Sequence, residues 1–472
     1  MVITLVLVAA SSVDKTLAMP VVGLTLIVLI VLGIANPRVA LFVVFGLSIF
    51  FEPGNGDPLQ AAGDYLQRDI QGAYGLTGIQ VTGIEAVQLA ALFSSLIGTL
   101  ARGQKLKAGE LKLQAFFFLG MLLFGFVRGT LGGGLFNFGV WEGRFMIAMM
   151  VCFFIAANST RQRSHVRELM NVLFIAVSLS AVEGAWRRSA LIDVGLMGDA
   201  QESWYGHDNV VFWGAFVILV LVQQAFGAPR WQRILGPVLA IVTMYTTMVS
   251  ERRSGYLSLI AAFLVITLVF MIAKRKAFFL IALPLIIASA IFIPATWNAS
   301  GPIGQPARAI KSISEPDPRD AASNLSRDLE KINIRATIAS DPILGVGFGR
   351  PYLLVAQIPD ISWWVLWQYA THDQIMWIWL KTGAIGFAGF WILLGTGLSR
   401  GAINARFLQD RDLRVFSVLC MIGIVTAAGF SWVDVGLVGP RVPCFVGTLL
   451  GGLSVVSQID RRNVQSAGAQ VA

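Results

Sequence analysis

The feature that most constrains this chain is its series of long, continuous apolar segments. A transmembrane helix needs about 20 mostly apolar residues, and we identify thirteen candidate segments. They lie at 17–34, 38–51, 84–101, 111–131, 141–158, 167–185, 208–226, 233–250, 254–273, 277–297, 373–398, 413–431 and 436–457. Because the apolar residues are continuous and do not alternate with polar ones, a transmembrane β-barrel is excluded. The sequence predicts an all-α polytopic membrane protein with about 12–14 transmembrane helices; residues 1–12 are too short to cross alone, and whether they form part of a span is left open.

The composition of the chain excludes the common soluble classes. Apolar residues make up 56% of the 472 residues, and charged residues only 13%, whereas a typical soluble domain is about 25% charged. A soluble enzyme, a disordered protein and a secreted disulfide scaffold are therefore ruled out. The three cysteines, Cys152, Cys420 and Cys444, lack metal-ligand spacing, so we interpret them as packing residues.

The net charge of +9 is unevenly distributed between the connections of the predicted helices. One alternating set, which includes Arg38, Arg161 and 274–276, carries 19 Lys and Arg against 5 Asp and Glu. Excess positive charge on short connections marks the cytoplasmic face of a membrane protein. The basic charge is therefore interpreted as a topology signal, and no nucleic-acid partner is predicted.

The longest connection, 298–372, belongs to the opposite, outer set and joins the helices near 277–297 and 373–398. Connections of this length are usually functional or disordered, and the apolar content of 332–352 argues against disorder. The segment 323–340 has the pattern of a helix. We therefore expect one large folded loop on the outer face.

Unusual polar residues gather at the outer ends of the predicted spans. Arg252 and Arg253 lie in a very short turn between two spans, and guanidinium groups match phosphate oxygens with forked hydrogen bonds. The alternative is that both arginines reach lipid headgroups. His207 and His372 each precede a span, where the helix N-terminus disfavours the imidazolium form. A neutral imidazole can accept a proton, although each histidine could instead cap its helix.

Two further features receive structural interpretations. Lys381 lies nine residues after His372 in the same predicted helix, which places it on the opposite helix face. We therefore predict a structural ion pair or snorkelling for Lys381. The glycine-rich segment 345–349 lacks the strand context and the Gly-Lys-Ser/Thr ending of a phosphate loop, so a tight turn is predicted there.

Several short motifs occur in a particular order along the second half of the chain. They are Arg-Ser-Gly at 253–255, Ser-Arg-Asp-Leu-Glu at 326–330, Ser-Asp-Pro-Ile-Leu-Gly-Val-Gly-Phe-Gly at 340–349, and His-Asp-Gln at 372–374 followed by Trp-Leu-Lys-Thr-Gly-Ala-Ile-Gly-Phe at 379–387. In this order, and with a large outer loop, they resemble the O-antigen ligase and Wzy-type polymerase superfamily. The resemblance covers about 208–400, which leaves 1–207 and 401–472 as flanking transmembrane regions.

That resemblance implies a glycosyltransferase of the bacterial inner membrane whose active site faces the periplasm. Such enzymes take a glycan from an undecaprenyl-pyrophosphate donor, and their acceptor is another glycan, the lipid A core or a protein. Membrane lipids surround the enzyme, and no nucleotide sugar, metal or other cofactor is implied. The products would be lipopolysaccharide or exopolysaccharide, and the sequence does not choose between ligase and polymerase.

The resemblance also assigns site residues. The arginine that opens a span corresponds to Arg253, with Arg252 as the alternate, and the loop arginine corresponds to Arg327, with Arg335 second. These four would bind the donor pyrophosphate. The histidine at the end of the loop corresponds to His372, the implied catalytic base. Relatives often have Asn after this histidine, whereas this chain has Asp373.

The alternative function is a polysaccharide transporter or a flippase for lipid-linked glycans. Transporters usually place polar sites near the membrane midplane on broken helices, often in two related halves. In this chain the polar residues gather at the outer ends of the spans, and no internal repeat is found. The sequence therefore favours the enzyme.

Overall fold

The computed structural model describes residues 15–52, 66, 81–101, 103, 109–192, 206–362 and 364–471. Within these ranges the chain is helical and contains no β-strand, which confirms the all-α prediction. A 3-10 turn, Gly109–Leu111, leads into the fourth helix, and a π-helical turn, Arg188–Ile192, extends the sixth. In chain order the helices are α1 Lys15–Ala35, α2 Pro37–Phe50, α3 Gly83–Ala101, α4 Lys112–Leu131, α5 Phe136–Ser159, α6 Arg163–Arg187, α7 Asn209–Phe226, α8 Arg230–Val249, α9 Arg253–Ala273, α10 Arg275–Ala295, α11 Gly301–Ser314, α12 Pro318–Ser340, α13 Gln374–Phe407, α14 Arg411–Ser431 and α15 Arg441–Val471.

Each of the thirteen predicted spans falls on one of these helices. In the described part of the chain, ten helices are long and apolar enough to cross a membrane, namely α3–α7, α9, α10 and α13–α15. Shorter apolar stretches lie in α1 and α2, and α8 has a polar first turn with Arg230, Gln232 and Arg233. Length and composition thus make the chain a multi-pass membrane protein. The predicted partial span at 1–12 lies outside the described residues.

The basic connections meet at one end of the helix bundle, which we call the basic end. Arg163, at the start of α6, lies 2.9 Å from the carboxylate of Asp410, just before α14. Arg400 in α13 and Arg461 in α15 both pair with Glu110, at 3.3 and 3.1 Å. These contacts place the connections around Glu110, Arg163, Asp410 and Arg461 at one end of the bundle, as the charge pattern predicts.

The opposite end, which we call the site end, is joined by a buried polar network. Arg441, at the start of α15, donates to the carbonyl oxygens of Ser48 and Ile49 in α2, both at 2.7 Å, and pairs with Asp208 before α7. Arg187 of α6 lies 3.3 Å from Glu52, just after α2, and neither side chain is exposed by more than 1%. Buried charges need such partners, so the network fixes the relative positions of four helices beneath the site.

We predict that the site end faces outward and the basic end faces the cytoplasm, on the charge bias. Cysteine at Leu325, which is 60% exposed in α12, should react with an impermeant thiol reagent in intact spheroplasts. Cysteine at the exposed Arg275, where α10 begins, should react only after permeabilisation. Both variants are made in a chain whose three native cysteines are replaced. Labelling of the Arg275 position alone in intact spheroplasts would invert this orientation.

The long connection between α10 and α13 is folded, and it contains α11 and α12. The predicted helix at 323–340 is confirmed and begins earlier, at Pro318, where the Asp317 side chain accepts a hydrogen bond from the N–H of Asp320 at 2.8 Å. The preceding helix, Gly301–Ser314, was not expected. The connection therefore supplies two helices that lie beside the transmembrane bundle.

The glycine-rich part of this connection inserts between transmembrane helices. Its three glycines, at 345, 347 and 349, have φ values of 70°, 86° and 81°, as expected for tight turns. A Cβ atom on Gly347 would lie 2.3 Å from the backbone nitrogen of Gly129 in α4, and the N–H of Phe348 donates to the carbonyl of Gly125 at 3.1 Å. The predicted turn is thus also a close backbone contact with α4.

Of the two interpretations predicted for Lys381, an ion pair or snorkelling, the structure shows the ion pair. Its ammonium group lies 3.0 Å from the Glu142 carboxylate of α5, and both side chains are fully buried. Lys381 also donates to the carbonyl of Arg350 at 2.6 Å. Two residues later α13 is broken at Gly383, whose φ is 67°, and the next N–H donates to the carbonyl of Pro342 at 2.9 Å. The inserted segment therefore replaces a hydrogen bond that the helix loses at its break.

Candidate functional site

A cleft of two lobes lies at the site end, where α11 and α12 contact the start of α9. The first lobe has a volume of about 300 Å³ and the second about 330 Å³. Both lobes are lined by the same shared wall, which consists of Arg253, Ser312, Ile313, Asn324, Arg327 and Val433. The lobes are therefore neighbouring parts of one site.

Three of the predicted site residues meet in the second lobe. Arg253 begins α9, Arg327 lies in the middle of α12, and His372 precedes α13 by two residues. These positions are up to 119 residues apart in the sequence, yet all three side chains line the same cavity. The fold thus brings together two cations and one possible base.

The two lobes differ in chemistry beyond their shared wall. The walls that belong only to the first lobe combine aliphatic side chains, namely Leu257, Ile260, Ala309 and Ile310, with charged ones, namely Glu251, Arg252, Arg319, Asp320 and Asp434. The walls that belong only to the second lobe are polar, charged or aromatic, namely Asp328, Glu330, Lys331, His372, Asp373 and Trp432. Outside the shared wall, aliphatic side chains therefore line only the first lobe, while Arg253 and Arg327 belong to both lobes.

Arg253 is oriented by the helices of the long connection. Its guanidinium lies 3.4 Å from an Asp320 carboxylate oxygen, 3.4 Å from the Ser312 hydroxyl and 3.5 Å from the Asn324 amide oxygen. The side chain is 28% exposed. Since these contacts are long, the guanidinium retains capacity for a bound anion in the cleft.

Arg327 differs from Arg253 in that its guanidinium N–H groups have no hydrogen-bond acceptor among the described residues. In the described part of the chain no hydrogen bond or ion pair within 4 Å involves this half-buried side chain. Its charge nevertheless acts on Asp434. Burial opposes ionisation of Asp434, but a hydrogen bond and the charge of His207, together with Arg327, hold the Asp434 pKa well below its usual range. Arg327 therefore presents an unpaired guanidinium to both lobes.

His372 is held by a buried carboxylate. Its Nδ1 atom lies 3.3 and 3.4 Å from the two carboxylate oxygens of Glu330, and its backbone N–H donates to the same carboxylate at 2.9 Å. The Glu330 side chain is only 4% exposed, whereas that of His372 is 33% exposed. Because Nδ1 faces Glu330, Nε2 is the ring nitrogen left for a ligand in the second lobe. A base held by a carboxylate is a recurring catalytic arrangement.

The cap of α13 is Asp373 and not His372. The Asp373 carboxylate accepts a hydrogen bond from the N–H of Met376 at 3.0 Å, whereas the imidazole of His372 faces α12. Asp and Asn are about equally good at this capping position. Asp373 therefore fills the same structural role that Asn would fill at this position.

The remaining candidate residues occupy different positions. Arg252 lines only the first lobe, and its Nη1 lies 3.2 Å from Nδ1 of His207. His207 is 58% exposed and lies 3.4 Å from Asp434. Arg335 is exposed on α12 and lines neither lobe. Of the four candidate arginines, Arg253 and Arg327 are the two that line both lobes.

The sequence motifs gave no role to Glu330, nor to Asp320, Asn324 and Lys331 of α12. For Asp320, Asn324 and Lys331 the signal is the polar stripe that they form with Arg327 at helical spacing. All four line the cleft, because positions three and four apart in a helix share one face. Trp432 was also missed, since a single tryptophan after a span carries no local signal.

Comparison with known proteins adds no assignment to this site. The chain matches no model of a known protein family, and no curated protein is significantly similar to it. The function therefore has to be argued from the cleft and from the motifs that line it.

Proposed function

We propose that this protein is a membrane glycosyltransferase that moves a glycan from an undecaprenyl-pyrophosphate donor to an acceptor hydroxyl. The observation that carries the proposal is the joint lining of the second lobe by Arg253, Arg327 and His372. Two guanidinium groups suit a pyrophosphate, and a carboxylate-held imidazole suits a hydroxyl that must lose its proton. The motif resemblance to O-antigen ligases and Wzy-type polymerases points to the same chemistry.

In the proposed reaction the acceptor oxygen attacks the anomeric carbon of the donor glycan. The bond between that carbon and the pyrophosphate oxygen breaks, and its electron pair leaves with the pyrophosphate. The hydroxyl proton passes to Nε2 of His372. Arg253 and Arg327 stabilise the negative charge that develops on the leaving group, which is where fixed cations lower the barrier most.

The proposal extends to the location of the reaction. The site end would face the periplasm of a bacterial inner membrane, because the opposite end carries the excess of positive charge. The aliphatic side chains of the first lobe, among them Leu257 and Ile260, suit the lipid end of the donor. The acceptor would be a growing glycan, the lipid A core or a protein, so the product would be lipopolysaccharide, exopolysaccharide or a glycoprotein.

A transporter or flippase for lipid-linked glycans is the alternative, and one observation favours it. The break in α13 at Gly383, beside the buried Lys381, resembles the broken helices that form transporter sites. However, Lys381 is paired with Glu142 and bonded to the inserted segment, and it lines neither lobe of the cleft. The break is therefore better explained by the packing of the inserted loop against α13 than by a transport site.

One experiment separates the two functions. Purified protein in detergent is mixed with undecaprenyl-pyrophosphate-linked glycan and with lipid A core oligosaccharide or a second lipid-linked repeat. Formation of a glycosidic product with release of undecaprenyl pyrophosphate supports the transferase. Failure to form product, together with movement of the lipid-linked glycan across proteoliposomes, would support the transporter instead.

The role proposed for Glu330 is to position His372. We expect Glu330→Gln to lower kcat about 10- to 100-fold, by analogy with carboxylates that orient metal-binding histidines. Glutamine preserves the shape but removes the negative charge beside the imidazole. The donor KM and the melting temperature should change little, because the pyrophosphate contacts are intact. Glu315→Gln, at a carboxylate that is 68% exposed outside the cleft, is the matched control. Unchanged kcat in folded Glu330→Gln would remove this role.

A further inference from the structure

Trp432 presents an unpartnered aromatic ring to the second lobe. It follows α14 directly, it is 57% exposed, and it lines the second lobe but not the first. In the described part of the chain, none of the ring–ring or cation–ring contacts involves Trp432. An exposed tryptophan without a packing partner is available to a ligand.

The surroundings of Trp432 distinguish it from a tryptophan that anchors a helix in the membrane interface. Anchoring tryptophans face the headgroup region, whereas Trp432 shares a cavity with Asp328, Lys331 and His372. The Asp328 side chain is 71% exposed and that of Lys331 is 30% exposed, and they lie at the contact limit of 4.0 Å from each other. Both side chains therefore have hydrogen-bonding capacity toward the cavity.

A flat apolar ring beside a carboxylate and an ammonium group matches the chemistry of a pyranose. One face of a sugar ring carries C–H groups that pack on an aromatic surface, while its hydroxyls donate to carboxylates and accept from ammonium groups. Binding sites commonly combine an aromatic wall with a few fixed polar groups. The second lobe thus has the features of a sugar subsite.

The division of the cleft into two lobes indicates whether this sugar belongs to the donor or to the acceptor. Leu257 and Ile260, which are 45% and 47% exposed, line only the first lobe and suit an isoprenoid lipid. The arginines that suit the pyrophosphate lie on the shared wall. An acceptor hydroxyl must come within hydrogen-bond reach of His372, and His372 belongs to the second lobe alone.

We propose that the second lobe is the acceptor-sugar subsite and that Trp432 is its stacking platform, with Asp328 and Lys331 binding the sugar hydroxyls. This inference rests on the proposed transferase function. It assigns the two substrates to different lobes, so that the donor lipid and the acceptor sugar approach the arginines from opposite sides.

The test separates acceptor binding from donor binding. With whichever acceptor supports wild-type transfer, core oligosaccharide or a second lipid-linked repeat, Trp432→Ala should raise the acceptor KM about 10-fold. The donor KM should stay unchanged, and Trp432→Phe should recover most of the loss because it keeps a ring. Trp186→Ala, at a 41% exposed tryptophan of α6 that lines neither lobe, is the control.

A second measurement does not depend on Trp432→Ala folding. Titration of the same acceptor into wild-type protein without donor should change tryptophan fluorescence, and this change should be largely lost in Trp432→Phe. If wild-type protein transfers glycan but Trp432→Ala raises the donor KM, or neither KM, the acceptor assignment is overturned while the transferase function stands. Absence of transfer by wild-type protein would instead overturn the function itself.

Discussion

Replacing His372 with glutamine is expected to lower the rate of glycan transfer at least about 100-fold, since acid–base catalysis contributes about 10²–10⁴-fold. Glutamine can still donate a hydrogen bond to the Glu330 carboxylate, which His372 contacts at 3.3 Å. The contact between α12 and the start of α13 is thereby preserved. Glutamine has no nitrogen that takes up a proton at neutral pH. The measurement is the single-turnover transfer rate in detergent, with donor binding and the melting temperature recorded in parallel.

His165→Gln provides the matched control for this variant. His165 lies at the basic end, beside the carbonyl of Ser159, so the same substitution there should leave transfer near the wild-type rate. If folded His372→Gln also transfers at a near-normal rate, His372 is not the base and serves only to join the two helices. Loss of donor binding in this variant would likewise contradict the proposal, because the base is not expected to bind the pyrophosphate.

The helices and the basic end were predictable because each depends on local sequence. Continuous apolar runs indicate spans irrespective of how the helices pack, and the charges of short connections indicate their side. A structural role for Lys381, as an ion pair or by snorkelling, was predicted for a similar reason, since its spacing from His372 places the two residues on opposite faces of one helix. Its partner Glu142 could not be predicted, because the pairing depends on how α5 packs against α13.

The composition of the cleft depends on contacts that a single sequence does not specify. Arg253 and Arg327 were singled out by motifs, but their shared cavity exists because α11 and α12 lie across the start of α9. The role of Glu330 depends in the same way on a contact between α12 and the residue before α13. The polar stripe on α12 was present in the sequence, yet nothing local showed which surface it would face.

The insertion of the glycine-rich segment between the helices also could not be predicted from the sequence. Three glycines in five residues predict positive φ angles and tight turns. They do not predict that a side chain at Gly347 would collide with the backbone of Gly129. The glycines are thus required for close packing as well as for turning, and this second requirement appears only when α4 and the loop are seen together.

Replacing Arg327 with alanine is expected to lower kcat/KM for the lipid-linked donor about 10- to 150-fold. Loss of a hydrogen bond to a charged group costs about 1.5–3 kcal/mol, and each 1.4 kcal/mol corresponds to a tenfold change. Arg327→Lys should recover only part of the activity, because an ammonium group lacks the forked geometry of guanidinium. Arg327 gives a cleaner test than Arg253, whose contacts with Asp320 and Ser312 also join α9 to the loop helices.

The same helix offers a matched control at Arg335, which is exposed eight residues further along and lines neither lobe. Arg335→Ala should retain nearly full activity, so the pair of variants decides between the two loop arginines that the sequence left open. Since Arg327 has no ion pair among the described residues, its loss should leave the melting temperature unchanged and should not mimic a folding defect. If Arg335→Ala loses donor turnover and Arg327→Ala does not, the pyrophosphate binds outside the cleft. In that case the shared wall of the two lobes would have no role in the donor's chemistry.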